Sequence, residues 1–225
     1  VISNICVSIK PKNSSEALTL IEKAEAAKAD FIEVRLDRFE TLELGDILSS
    51  TKIPLIATNK LQNEGGDFMG TPAQGWQVLI NAARRGFQYI DVNLASLKLK
   101  EQMVALKALD VKTIVSFHKF EGAFTAIEMQ RILEEEKAVG ADVCKIVGTA
   151  KQMQDNLVVL NFVSENASKT CLVCFCMGEH GKISRLLSPV FGAFFTFATL
   201  EQGRETAPGQ ISINDMRAAY SLLRH

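Results

Sequence analysis

The chain has 225 residues, 47% of them hydrophobic, with 25 lysines and arginines against 26 aspartates and glutamates and a pI near 6.4. A balance this close to neutral supplies no positive field to gather phosphate backbones or anionic lipid, so neither a nucleic-acid nor a membrane partner is expected. No run of some 18 apolar residues occurs, "VISNICVSIK" is too short and too alternating for a signal peptide, and five cysteines, an odd number, fit reduced thiols better than a disulfide framework. A soluble, cytoplasmic protein is predicted.

Short apolar runs rich in Val and Ile recur along the chain, with a helix-like segment after nearly every one. The first strand is predicted over Ile5 to Ile9, followed by a helix from Ser14 to Lys28 with Ser14 as N-cap. Strands two to five are predicted over Phe31 to Leu36, Pro54 to Asn59, Tyr89 to Leu94 and Thr113 to Phe117. The helix "AIEMQRILEEEKAVG" closes on Gly140, and strand six follows over Val143 to Val147. Strands seven and eight are predicted over Cys171 to Cys176 and Phe194 to Thr199, and "SINDMRAAYSLLRH" forms the last helix.

Eight such units average about 28 residues, enough for one strand, one helix and two short loops. The predicted class is therefore α/β, a (β/α)8 TIM barrel, with residues 1 to 225 forming one catalytic domain. An open doubly wound sheet is the alternative, but the glycine-rich turn it uses after the first strand is missing from "VSIKPKNSS".

In such a barrel the C-terminal strand ends and the loops after them carry the chemistry. Polar residues gather there: Glu33 and Arg35 on one side of strand two, Lys60 after strand three, Glu64 in the loop "LQNEGGDF", and His118 at the end of strand five. Strand six carries Lys145 at the centre of "DVCKIV". Arg185 follows strand seven, while Thr206 and Gln210 follow strand eight. Guanidinium and amide donors suit a carboxylate, so the implied ligand is a small polar acid.

A buried lysine either finds a counter-charge or gives up its proton. If desolvation and the neighbouring cations Arg35, Lys60 and Arg185 lower its pKa, Lys145 becomes a nucleophile able to form a Schiff base with a substrate ketone. His118 is then the natural base for a proton on the adjacent carbon. The structural alternative pairs Lys145 with Glu33, and Glu33 with Arg35 could equally be an ion pair that holds the barrel. The C-x-x-C in "CLVCFC" lacks a second ligand pair, so no metal is expected. His180 and His225 read as solvent-exposed, and "FGAFFTF" reads as core, with Phe197 a candidate for the pocket wall.

The segments "FIEVRLDRF", "EGG", "VSFHKF", "ADVCKIVGTA", "GKISRLLSPVFGAFFTFA" and "APGQ", in this order and spacing, resemble the type I 3-dehydroquinate dehydratases. These shikimate-pathway enzymes are (β/α)8 barrels that turn 3-dehydroquinate into 3-dehydroshikimate. The resemblance implies that Lys145 forms the Schiff base, and that His118 removes the C2 proton and assists loss of the C1 hydroxyl. It further implies that Glu64 orients the histidine and that Glu33 and Arg35 contact ring hydroxyls. Arg185 and Gln210 would clamp the carboxylate, with Met177 and Phe197 as apolar walls. No cofactor is implied, and a homodimer is compatible.

Three positions depart from the family pattern: Lys60 where an arginine is frequent, Thr206 where a serine is expected, and "DVNL" with Asn93 where D-x-E is common. The chain begins almost at strand one, so the N-terminal hairpin of longer family members is not expected. A class I aldolase and a catalytically silent barrel that binds an acidic metabolite are the rival readings.

Overall fold

The structure, a computed structural model, describes residues 3–39 and 44–223. His225 lies outside the described residues. Strands β1 (Ile5–Ile9), β2 (Phe31–Arg35), β3 (Leu55–Thr58), β4 (Tyr89–Asn93), β5 (Lys112–His118), β6 (Val143–Thr149), β7 (Leu172–Met177) and β8 (Thr196–Ala198) alternate with helices. These are α1 (Ser14–Ala26), α2 (Gly45–Ser49), α3 (Pro72–Arg85), α4 (Leu99–Lys107), α5 (Ala126–Ala138), α6 (Asp155–Asn166), α7 (Lys182–Leu187) and α8 (Ile213–Leu223). The strands pair in parallel in the order β7-β6-β5-β4-β3-β2-β1-β8. The Phe194 amide, just ahead of β8, reaches the Leu172 carbonyl of β7 at 2.8 Å and brings the ring nearly to closure. The predicted (β/α)8 barrel is the observed fold.

Local sequence explains several helix boundaries. Thr71 and Gln74 bond reciprocally ahead of α3, as do Thr125 and Glu128 ahead of α5, so each start is fixed by two satisfied donors. Gly140, at φ 81°, follows α5 as a left-handed stop. At α1 the prediction is off by one residue: the cap is Asn13, extended at φ −155°, whose side chain accepts from the Glu16 amide at 2.9 Å, and Ser14 is already helical. Strand eight is also shorter than predicted, because the chain reaches the ladder only at Thr196.

Two apolar layers surround the strands. Residues such as Val7, Ile32, Val34, Ala57 and Val115 face the helices, whereas Cys6, Phe31, Ile56, Ile114, Val143, Val173, Phe175, Phe195 and Phe197 fill the barrel interior. This is the alternation that a parallel strand buried on both faces requires. Among the described residues no helix is long and apolar enough to cross a membrane.

Candidate active site

Reading up the inward faces of β2 to β5, an apolar residue near the bottom gives way to polar ones two and four positions later. On β2 the series is Phe31, Glu33, Arg35; beyond Ile56 and Thr58 of β3 comes Lys60. Strand β4 gives Tyr89, Asp91, Asn93, and β5 gives Ile114, Ser116, His118. Because strand side chains alternate with period two, a floor of aromatic and aliphatic groups lies beneath a charged upper half.

Lys145 occupies the middle of this arrangement. In register beside Ser116 of β5, its Nζ lies 2.8 Å from Asp91 Oδ2, 3.8 Å from Glu33 Oε1 and 4.3 Å from the centre of the Phe197 ring. The other oxygen of Asp91 accepts from Lys60 Nζ at 2.7 Å and from the Ser116 hydroxyl at 2.7 Å, and Lys60 also donates to Ser116 at 2.9 Å. One buried aspartate therefore serves two buried lysines. The sequence reading missed Asp91, although a carboxylate at the centre of the apolar run "YIDVN" carries the same signal as the lysine in "DVCKIV".

That geometry corrects the expected direction of the lysine shift. Burial alone lowers the Lys145 pKa, but the charges of Asp91 and Glu33 outweigh it, and the ammonium is held above the ordinary lysine value. Asp91, despite its burial, is held well below the carboxylate range by Lys145 and Lys60. His118 behaves oppositely: burial, with the positive charges of Lys145 and Lys60, drives its pKa well below 6.5, so the imidazole is neutral at pH 7. Its ring stacks near Phe120, 6.2 Å between centres and 15° between planes.

Glu33 and Arg35 do not pair with each other. Glu33 accepts from Thr58 Oγ1 at 2.9 Å and from the Ser8 hydroxyl, and Ser8 in turn accepts from Thr206 Oγ1 at 2.7 Å. Arg35 is instead bidentate to Asp37, at 2.6 and 2.9 Å, and Asp37 also accepts from the Asp67 amide at 2.9 Å in the loop after β3. Ser8 and Asp37 were not singled out from sequence, although Asp37 continues the two-residue spacing of Glu33 and Arg35.

Glu64 ends a 3-10 turn at Gln62–Glu64, where its carboxylate accepts from the Leu61 amide at 3.0 Å and from the Asn93 side chain. Among the described residues no hydrogen bond joins it to His118. The "EGG" motif has a steric reason: a Cβ on Gly66 would stand 1.9 Å from the Lys60 carbonyl, so only glycine lets the turn fold back on the strand end.

Arg185, on α7, is buried, with its guanidinium carbon 4.3 Å from the centre of the Phe175 ring. Its terminal nitrogens make long contacts to the Phe197 and Pro208 carbonyls, at 3.4 and 3.3 Å, and Nε has no partner. Burial pulls this guanidinium down to about 9. Among the described residues no carboxylate pairs with it. Gln210, close by in the loop after β8, exchanges hydrogen bonds with Thr206. Met177 at the end of β7 and Phe197 on β8 are buried among the barrel aromatics, whereas His180 is exposed beyond β7.

The arrangement thus joins a buried lysine held as an ammonium by Asp91, a neutral imidazole and a buried guanidinium that lacks a carboxylate partner among the described residues. A family model described as type I 3-dehydroquinase matches residues 5–225. Similar proteins include the 3-dehydroquinate dehydratase of Desulfotalea psychrophila, 33% identical over 96% of both chains, and that of Coxiella burnetii, 30% identical over 96% of this chain and 91% of that one. The crystal structure of the Geobacillus kaustophilus 3-dehydroquinate dehydratase superposes with a TM-score of 0.89 at 26% identity, covering 99% of this chain and 91% of that one. A type I 3-dehydroquinate dehydratase from Clostridium difficile, whose structure carries covalent modified comenic acid, gives 0.88 at 28% identity over 98% and 92% of the two chains. Spanning the barrel from its first strand onward, these matches establish that the chain belongs to the type I 3-dehydroquinase family.

Proposed function

We propose that the protein dehydrates 3-dehydroquinate to 3-dehydroshikimate in the shikimate pathway, through a Schiff base on Lys145 with His118 as general base and then general acid. The observation that carries this reading is the buried Lys145 of β6, set between Asp91 and Phe197 on the same rim as the neutral His118 of β5.

Lys145, as the free amine, attacks the substrate ketone, and loss of water leaves an iminium that withdraws electrons from the neighbouring carbon. His118 takes the C2 proton, and the resulting enamine expels the C1 hydroxyl, which leaves as water with the proton returned by the imidazolium. Hydrolysis of the iminium then releases 3-dehydroshikimate and restores the lysine. Arg185, with no carboxylate of its own, offers its guanidinium to the substrate carboxylate, with Gln210 adding an amide. Glu33, Arg35, Lys60 and Thr206 surround the ring hydroxyls, and Met177 and Phe197 form the apolar walls. Glu64, bonded to Asn93, borders the mouth from the turn after β3 and orients the histidine once substrate is bound.

Incubation with 3-dehydroquinate and borohydride, followed by peptide mapping, tests this assignment, with enone absorbance followed in parallel. An adduct on Lys145 and rising absorbance are expected. Rising absorbance with no adduct would overturn the covalent mechanism, and neither signal would overturn the substrate.

A further inference from the structure

We propose that Lys60 is a positioning residue that acts through Asp91, sharing this one carboxylate with Lys145 so that Lys145 can be converted to the free amine. The inference rests on the Schiff-base reading above and deepens it.

Asp91 alone would hold the Lys145 ammonium firmly, and an ammonium has no lone pair with which to attack a ketone. The carboxylate is not alone: its Oδ1 is taken by Lys60 at 2.7 Å and by the Ser116 hydroxyl at 2.7 Å, leaving only Oδ2 for Lys145 at 2.8 Å. Lys60 and Asp91 are both buried, so solvent screens their interaction little. A second ammonium bonded to the same carboxylate repels the charge on Lys145 and favours its loss.

Among the described residues, other titratable or charged groups around Lys145 include Cys6 from β1, Glu33 and Arg35 from β2, His118 from β5, and Glu136 of α5 behind β6. Arg35 is occupied by Asp37, so Lys60 is the cation bonded to the same carboxylate as the nucleophile. The chemical step balances. One ammonium proton passes to solvent, and the nitrogen pair forms the new C–N bond as the carbonyl pair moves to oxygen. That oxygen gains a second proton from nitrogen and one from solvent, and departs as water. Ammonium plus ketone becomes iminium plus water, and Asp91 stays ionised beside the positive nitrogen throughout.

The experiment compares Lys60→Gln and Lys60→Arg with the unaltered protein, measuring the rate of borohydride-trapped adduct on Lys145 at saturating 3-dehydroquinate from about pH 7 to about pH 12, each point reached by a brief pH jump so that the range crosses the raised Lys145 pKa. Glutamine keeps a hydrogen-bond donor without charge, whereas arginine keeps the charge. In Lys60→Gln an adduct rate about tenfold lower at pH 7 is expected, one pH unit's worth, with the deficit constant while Lys145 is an ammonium and closing once the pH exceeds its raised pKa; Lys60→Arg restores most of the rate. A deficit equal at every pH, or no deficit, overturns the proposal by reducing Lys60 to a packing or substrate-contact residue. If Lys60→Gln fails to fold, Ser116→Ala, which frees Asp91 from one neutral donor, should show a smaller deficit with the same pH trend, and a flat profile there overturns the proposal as well. No adduct on Lys145 in the unaltered protein at any pH would overturn the Schiff-base reading, and this inference with it.

Discussion

The chemistry proposed for Lys145 sets two requirements in conflict: an ammonium survives burial only beside carboxylates, and a nucleophile needs its proton removed. Lys145→Ala is expected to abolish the trapped adduct and to lower turnover at least a thousandfold; turnover assays and peptide mapping check it. His118→Ala should still form the adduct while the elimination rate falls about 10²- to 10⁴-fold, read by enone absorbance in a single turnover. Replacing Arg185 with methionine keeps the packing against Phe175 and removes the free guanidinium, so KM should rise strongly, with kcat falling less. At this scale the sequence exposed the lysine, the histidine and the unpaired arginine, because each is a polar residue placed against an apolar pattern. It hid the partner choices: Arg35 pairs with Asp37 rather than Glu33, and Lys145 with Asp91 more closely than with Glu33. Which carboxylate reaches which cation depends on register and barrel stagger, which bring β4 and β6 side chains together across the lumen.

Elements set the precision with which those side chains meet. The turn after β3 carries Lys60 on one side and Glu64 on the other, and it closes over Gly66, where any Cβ would strike the Lys60 carbonyl. Gly66→Ala is expected to leave a folded barrel by circular dichroism but to lower kcat/KM by one to two orders of magnitude, about the cost of ~1 Å misplacement. A cap far from the mouth should act on stability alone: Thr125→Ala removes the acceptor for the Glu128 amide at the start of α5 and should cost about 1 kcal/mol, read by urea denaturation, with turnover unchanged. All eight strands were legible because parallel strands buried on both faces leave short, mostly apolar runs, seven of the eight containing Val or Ile, a signal independent of tertiary detail. The short α2 and the one-residue error at α1 were not, since Asn13 and Ser14 are both capable caps and only the backbone angle decides between them.

Across the whole molecule, charge is distributed unevenly between the two faces of β6. The lumen face holds Lys145 in a network of matched charges, whereas the opposite side packs against α5 and buries Glu136 fully, with neither carboxylate oxygen completing a hydrogen bond of normal geometry. Burial pushes this carboxyl up to about 9, the Cys144 thiol and the Lys145 amide being its polar neighbours. In the unfolded chain the group titrates near its ordinary value of 4.5. Between these two values the folded state binds the extra proton, so this group's contribution to stability falls as pH rises from about 4.5 to about 9 and is level outside that window. Glu136→Gln abolishes the titration at nearly constant volume. The Tm difference between variant and parent should therefore move in favour of the variant as pH is raised from 5 to 9, by an amount on the order of a few kcal/mol in stability. Thermal melts at five pH values check it, and a Tm difference independent of pH would mean that Glu136 finds a partner when it ionises. Because Glu136 stays protonated and neutral well below pH 9, the same substitution should leave adduct formation on Lys145 unchanged at pH 7, which separates the stability of the barrel from the chemistry at its mouth.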